Sequence, residues 1–108
     1  MLVIDAQVHA YERNHKNRPW IDKLVGPDEV TGESLVKEME SVGVYGAILV
    51  SPLTMYRYDA SYARSVYEKY PNKFRLVKPV DPNNPEVGEI IQEWAKNNGT
   101  VAIRLMLA

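Results

Sequence analysis

Strand-like and helix-like patterns alternate along the chain. Leu2 to Val8 is a short apolar run interrupted at Asp5 and Gln7 and reads as a buried strand. Thr31 to Ser41 predicts a helix, with Leu35, Met39 and Val42 at helical spacing, Thr31 as N-cap and Gly43 just past its end. Tyr45 to Val50 is a second apolar strand. Asp59 then caps a helix whose Tyr62, Ala63, Val66, Tyr67 and Tyr70 form one stripe, stopped at Pro71-Asn72. Phe74 to Val80 reads as a third strand, broken near its end by Pro79. Asn84-Pro85 opens a third helix with Val87, Ile90, Ile91, Trp94 and Ala95 on one face, and Asn97-Asn98-Gly99 closes it. Thr100 to Leu107 is the fourth strand.

The resulting order, βαβαβαβ with strands apolar throughout, predicts a parallel α/β sheet covered by helices through right-handed crossovers. Residues 1–108 read as a single unit, with no repeat beyond the βα step, no low-complexity tract and no linker. The segment from Ala10 to Val30 is a long connection without periodicity, and loops of that length in compact domains are often lids. An open flavodoxin-like sheet is the competing way to close such units, although no Gly-rich phosphate loop follows the first strand.

Composition narrows the class. The chain has 108 residues, no cysteine and a formal net charge of -1, which excludes disulfides and thiolate metal sites and favours neither nucleic acid nor an anionic membrane. No apolar run is long enough to span a bilayer and no signal-peptide pattern opens the chain, so the expectation is a cytoplasmic α/β domain. Arg13-Asn14-His15-Lys16-Asn17-Arg18 is basic but lacks interleaved aromatics, and His15 reads as solvated.

The chemistry concentrates at strand ends. Strand alternation puts Asp5, Gln7 and His9 on one face and Ile4, Ala6 and Val8 on the other; a polar row of this kind suits the floor and rim of a site better than a core. Arg104 lies in an otherwise apolar strand, where an Arg is costly to bury without an anion: either a forked donor to a ligand carboxylate or a pair with Asp5 or Asp81. Lys78 could contact a substrate carboxylate or end its strand in solvent. Ser51 could donate to a substrate oxygen, but no Gly-x-Ser-x-Gly elbow surrounds it to make it a nucleophile. Tyr56 and Arg57 are candidate rim contacts, with an ordinary exposed loop as the alternative. Trp20 either caps the mouth as part of a lid or anchors its loop to a helix.

Ile4-Asp5-Ala6-Gln7-Val8-His9 resembles the first strand of the amidohydrolase-related (amidohydrolase 2) family of TIM-barrel metal-dependent hydrolases, whose acid-x-His-x-His pattern carries two metal-binding histidines. Here His9 matches the second histidine and Gln7 replaces the first. Arg18-Pro19-Trp20, Val42 to Pro52, Thr54 to Asp59, Lys78 to Pro82 and Val101 to Leu105 continue the likeness in order. A complete barrel of eight βα units needs about 200 residues or more, so the resemblance implies the N-terminal half of one. It also implies hydrolysis of a lactone or cyclic carboxylate ester, with decarboxylases as the alternative in the same superfamily.

In that reading His9 and Gln7 are catalytic, and Arg104, Arg57, Ser51 and Lys78 bind a small carboxylate-bearing substrate. A divalent metal such as zinc is held at His9 and weakened by Gln7, because an amide oxygen is a poor substitute for imidazole; a metal-independent site is the alternative. The general base lies on later strands, so the 108 residues alone are expected to be inactive. A non-catalytic half-barrel that self-associates through its open sheet edges, as a homo-oligomer or with a complementary half-barrel, is the second reading.

Overall fold

The computed structural model describes residues 4–23 and 25–105. Its elements run β1 (Ile4–Val8), α1 (Gly32–Ser41), β2 (Gly46–Val50), α2 (Leu53–Tyr56), α3 (Ser61–Lys69), β3 (Phe74–Val80), α4 (Val87–Ala95) and β4 (Thr100–Leu105). The predicted strand residues Leu2, Val3, Met106 and Leu107 lie outside the described residues. The short helix α2 was not foreseen: four residues carry too little periodicity to register.

Each predicted boundary has a local cause. Thr31 caps α1 by accepting from the Ser34 amide, as the N-cap rule requires. Asp59 sits one residue too early to cap α3; instead its carboxylate accepts from the Ser61 amide at 2.8 Å, while Ala60 occupies the cap. Likewise Asn84 accepts from the Glu86 amide at 2.9 Å and holds the turn that leads into α4, which begins two residues after Pro85. Pro79 does not break β3. The strand runs through it to Val80, and β4 pairs alongside with Arg104 opposite Pro79.

The four strands are parallel and ordered β1-β2-β3-β4. That order settles the choice between the two architectures. A flavodoxin-like sheet reverses strand order at a switch point and carries helices on both faces; a sheet wound in one direction carries them all on one face, as a barrel segment does. Here the core joins Val36 and Met39 of α1, Tyr62, Ala63 and Val66 of α3, and Trp94 of α4 to Ala47 and Leu49 of β2 and Phe74 and Leu76 of β3. Phe74, Leu49, Met55 and Leu76 are among its fully buried side chains, and burial of groups this size contributes about 1.5–3 kcal/mol each.

Alternation within β1 is not strict. Asp5 pairs with Ala47 and Val8 with Leu49, so the register shifts between them and the expected row of Asp5, Gln7 and His9 on one face does not follow from simple alternation. Val8 packs against the helical core, which directs its neighbours Gln7 and His9 to the other side.

Gly99 turns the chain from α4 into β4 with φ +82°, and a Cβ there would drive into the Tyr67 ring of α3. Gly99→Ala is therefore expected to destabilise the chain by about 2 kcal/mol, through left-handed strain and overpacking together, read as a lower urea midpoint.

Candidate functional site

The helix-free face of the sheet is defined by register. Val50 pairs with Val77, and Pro79 with Arg104, on the side opposite Leu49, Leu76 and Ile103, all of which pack in the helical core. At the carboxyl end of β1, His9 is half-buried and its Nδ1 lies 2.7 Å from the Val50 carbonyl. A carbonyl only accepts, so Nδ1 carries the proton, and in neutral imidazole the lone pair sits on Nε2. This arrangement fixes the ring and offers one acceptor. Gln7 precedes it and is exposed. Arg104 is exposed on the same face and, among the described residues, its side chain makes no hydrogen bond or ion pair.

Two candidates fall elsewhere. Lys78 pairs with Ile103, and its Nζ lies 5.6 Å from the Trp94 ring centroid, so it points into the groove between α3 and α4 rather than toward Arg104. Ser51 is 2% exposed and its hydroxyl donates to the Asp59 carbonyl at 2.9 Å, which ties the loop after β2 to its own base.

The long first loop is built rather than loose. Tyr11 and Val30 exchange backbone hydrogen bonds of 2.8 and 2.9 Å and pinch its base. Inside it the Glu12 carboxylate accepts from Arg18 at 2.5 Å and from His15 Nε2 at 2.6 Å, so His15 is paired with a carboxylate rather than merely solvated. The Trp20 indole donates to the Glu12 carbonyl at 2.9 Å and meets Tyr11 edge-on, anchoring the loop to itself. The Arg18 guanidinium also donates to Ser61 and lies over the Tyr62 ring. Tyr56 closes the network: its hydroxyl accepts from the Glu12 amide at 3.1 Å and lies 3.4 Å from the Glu12 carbonyl. Glu12 had no signal in the sequence and Tyr62 read only as part of a helix stripe, because Tyr56 lies 44 residues from Glu12 and Tyr62 lies as far from Arg18.

Among the described residues no three His, Asp or Glu side chains converge as metal donors. One imidazole and one amide oxygen are too few for a tight zinc site, which takes three or four protein donors. The donor set described here does not fit a metal centre held by this chain alone.

No family model matches the sequence, and no curated protein matches it. Among solved structures the fold is similar to a probable 2-pyrone-4,6-dicarboxylic acid hydrolase from Acinetobacter baumannii, crystallised with citric acid bound, with a TM-score of 0.72 and 20% identity. The match covers 97% of this chain and 38% of that one. The likeness establishes a partial barrel-like α/β fold, and the chain spans well under half the length of that structure. No helix among the described residues is long and apolar enough to cross a membrane.

Burial raises the Tyr56 hydroxyl above its ordinary pKa of 10.0, and the neighbouring Glu12 carboxylate adds to the rise against the opposing hydrogen bond from the Glu12 backbone. Tyr62 is raised from the same value, again chiefly by burial. A raised folded-state pKa means the unfolded chain loses its proton first, so stability is full below about pH 10 and falls as pH climbs through the folded value. Tyr56→Phe should lower the unfolding free energy at pH 7 by about 1 kcal/mol of lost hydrogen bonding, read as a lower urea midpoint, and should flatten the decline above about pH 10.

Proposed function

We propose that the chain forms the N-terminal βα portion of an amidohydrolase-related TIM-barrel hydrolase acting on a lactone or cyclic ester that carries carboxylates. The observation that carries the reading is the His9 ring, fixed by the Val50 carbonyl at the carboxyl end of a parallel strand, the end at which barrel enzymes place their chemistry. The similar hydrolase crystallised with citric acid supports a small polycarboxylate as the ligand class.

In the neutral tautomer His9 Nε2 accepts a proton or a hydrogen bond; it cannot donate to a carbonyl oxygen. Its role is then to orient an attacking water, while the Gln7 amide can donate to the ester oxygen. Arg104 lies across the sheet from His9, three strand spacings or roughly 14 Å apart, a gap that two inward side chains and a carboxylated ring between them can fill. Arg57 supplies a second cation from the rim. Lys78 and Ser51 are left out of the site, one facing the helices and the other tied to Asp59. The remaining catalytic groups come from outside these 108 residues, and decarboxylation is the alternative chemistry for the same ligand class.

The test is binding and turnover of 2-pyrone-4,6-dicarboxylate, followed by ring absorbance and calorimetry. The chain should bind it with negligible ring opening. His9→Ala and Arg104→Ala should each weaken binding about tenfold or more, and Lys78→Ala should leave it unchanged. Equal binding by all three variants would sink the reading.

A second reading, a self-associating half-barrel, is favoured by one observation. Ile4 on β1 and Val101 and Leu105 on β4 are 60%, 55% and 49% exposed, so both outer strands carry uncovered apolar side chains. Light-scattering mass that rises with concentration supports it, and a monomer at every concentration overturns it.

A further inference from the structure

Arg57 has a backbone conformation that its side chain does not favour. Its φ of 53° and ψ of -115° lie in a region that glycine occupies freely and residues with a Cβ avoid. Among the described residues it is the one non-glycine with positive φ. A residue is held there only when its surroundings over-determine it, and here they do. Met55, Tyr56 and Ala60 are buried around it, the Arg57 amide donates to the Leu53 carbonyl at 2.8 Å, and the Asp59 amide donates back to Tyr56 at 3.0 Å. Tyr56 is in turn bonded to Glu12, and Ser51 to Asp59.

The side chain obtains nothing in return within the chain. The Arg57 side chain is exposed and, among the described residues, makes no hydrogen bond, ion pair or ring contact. The nearby loop arginines contrast with it: Arg13 faces Asp28 and Glu29, and Arg18 faces Glu12. A rigid turn that spends stability to present an unpaired guanidinium describes a binding element, since a fixed fork loses little freedom on meeting a carboxylate. Its loop begins immediately after Val50, whose carbonyl orients His9.

We propose that Arg57 is a specificity-determining residue, strained so that its guanidinium is preset to receive a carboxylate of the ligand at the His9 mouth. The inference rests on the reading above for the place of the ligand, and not for the reaction.

The test compares Arg57→Gly, Arg57→Ala and Arg57→Lys in the 108-residue chain, by urea unfolding and by calorimetric titration with citrate, with trimethyl citrate as the uncharged control. Arg57→Gly should unfold at a higher urea concentration than the parent and bind citrate about tenfold or more weakly. Arg57→Ala should lose the same affinity without that gain in stability, because it keeps a Cβ at positive φ. Arg57→Lys should keep the parental stability and an intermediate affinity. Unchanged citrate affinity in Arg57→Gly, no stability gain in that variant, or no citrate binding by the parent overturns the proposal. Loss of citrate binding in Arg57→Gly alongside equal pyrone binding in His9→Ala would leave Arg57 in its role and remove the hydrolase reading. Unchanged citrate with His9-dependent pyrone binding would do the reverse.

Discussion

All the helical crossovers return on the same side of a sheet ordered β1-β2-β3-β4, and this sidedness divides every strand into a face packed on the helices and a face turned away from them. It follows from the handedness of βαβ connections: successive right-handed crossovers that advance in one direction cannot place a helix on the opposite face. Leu49, Phe74 and Leu76 are thereby committed to the helices. The alternate positions carry Val50, Val77, Pro79 and Arg104. Position along a strand thus decides whether a polar residue meets a helix or a ligand, and a single step changes the answer. Lys78 lies over Trp94, whereas Pro79 pairs with Arg104 on the other face.

The loops at the carboxyl ends of the strands obey a different constraint. They have no sheet to satisfy their backbone groups, so side chains do so instead. Glu12 is the centre: its carboxylate gathers Arg18 and His15, its carbonyl accepts from the Trp20 indole, and its amide donates to Tyr56. Partial burial makes such a network worth more than the same pairs in open solvent, because water screens them less. The Ile21 amide adds a direct bond to the Met55 carbonyl, so the first and second loops behave as one rim.

Element type was legible in the sequence wherever periodicity extended over a full strand or several turns. Phe74 to Val80 is a strand from end to end, and the Thr31 cap predicted the start of α1 to the residue. Strand order was not legible, since βαβ alternation fits both a barrel segment and a doubly wound sheet. The register shift between Asp5 and Val8 was not legible either, since nothing in the β1 sequence marks it. At the site, His9 could be singled out by its place at a strand end, but its tautomer depends on a carbonyl 41 residues away. Which way Lys78 points was not legible, because a lysine in an apolar strand reads the same whichever face it takes. Arg57 could be read as a rim contact or an ordinary loop residue, but its positive φ was not legible, because nothing in its identity announces a glycine-like turn.

Arg104, late in β4, and Arg57, in the loop after α2, carry positive charge although the chain as a whole is nearly neutral. Among the described residues Arg104 and Arg57 lack carboxylate partners, while Arg13, Arg18, Lys23, Lys37 and Lys96 each lie within salt-bridge range of one. Lys16, Arg64, Lys69, Lys73, Arg75 and Lys78 likewise have no carboxylate within salt-bridge range among the described residues, so Arg57 and Arg104 are told apart by where they sit rather than by being unpaired. An unpaired guanidinium gains little for folding, since it keeps its hydration and orders nothing. It gains most when a ligand carboxylate arrives and water is displaced between two fixed groups. The His9 ring is held separately, its Nδ1 donating to the Val50 carbonyl. In the proposed reading the arginines hold the carboxylates of the ligand and His9 addresses its reacting atom, which separates the work of holding from the work of reaction.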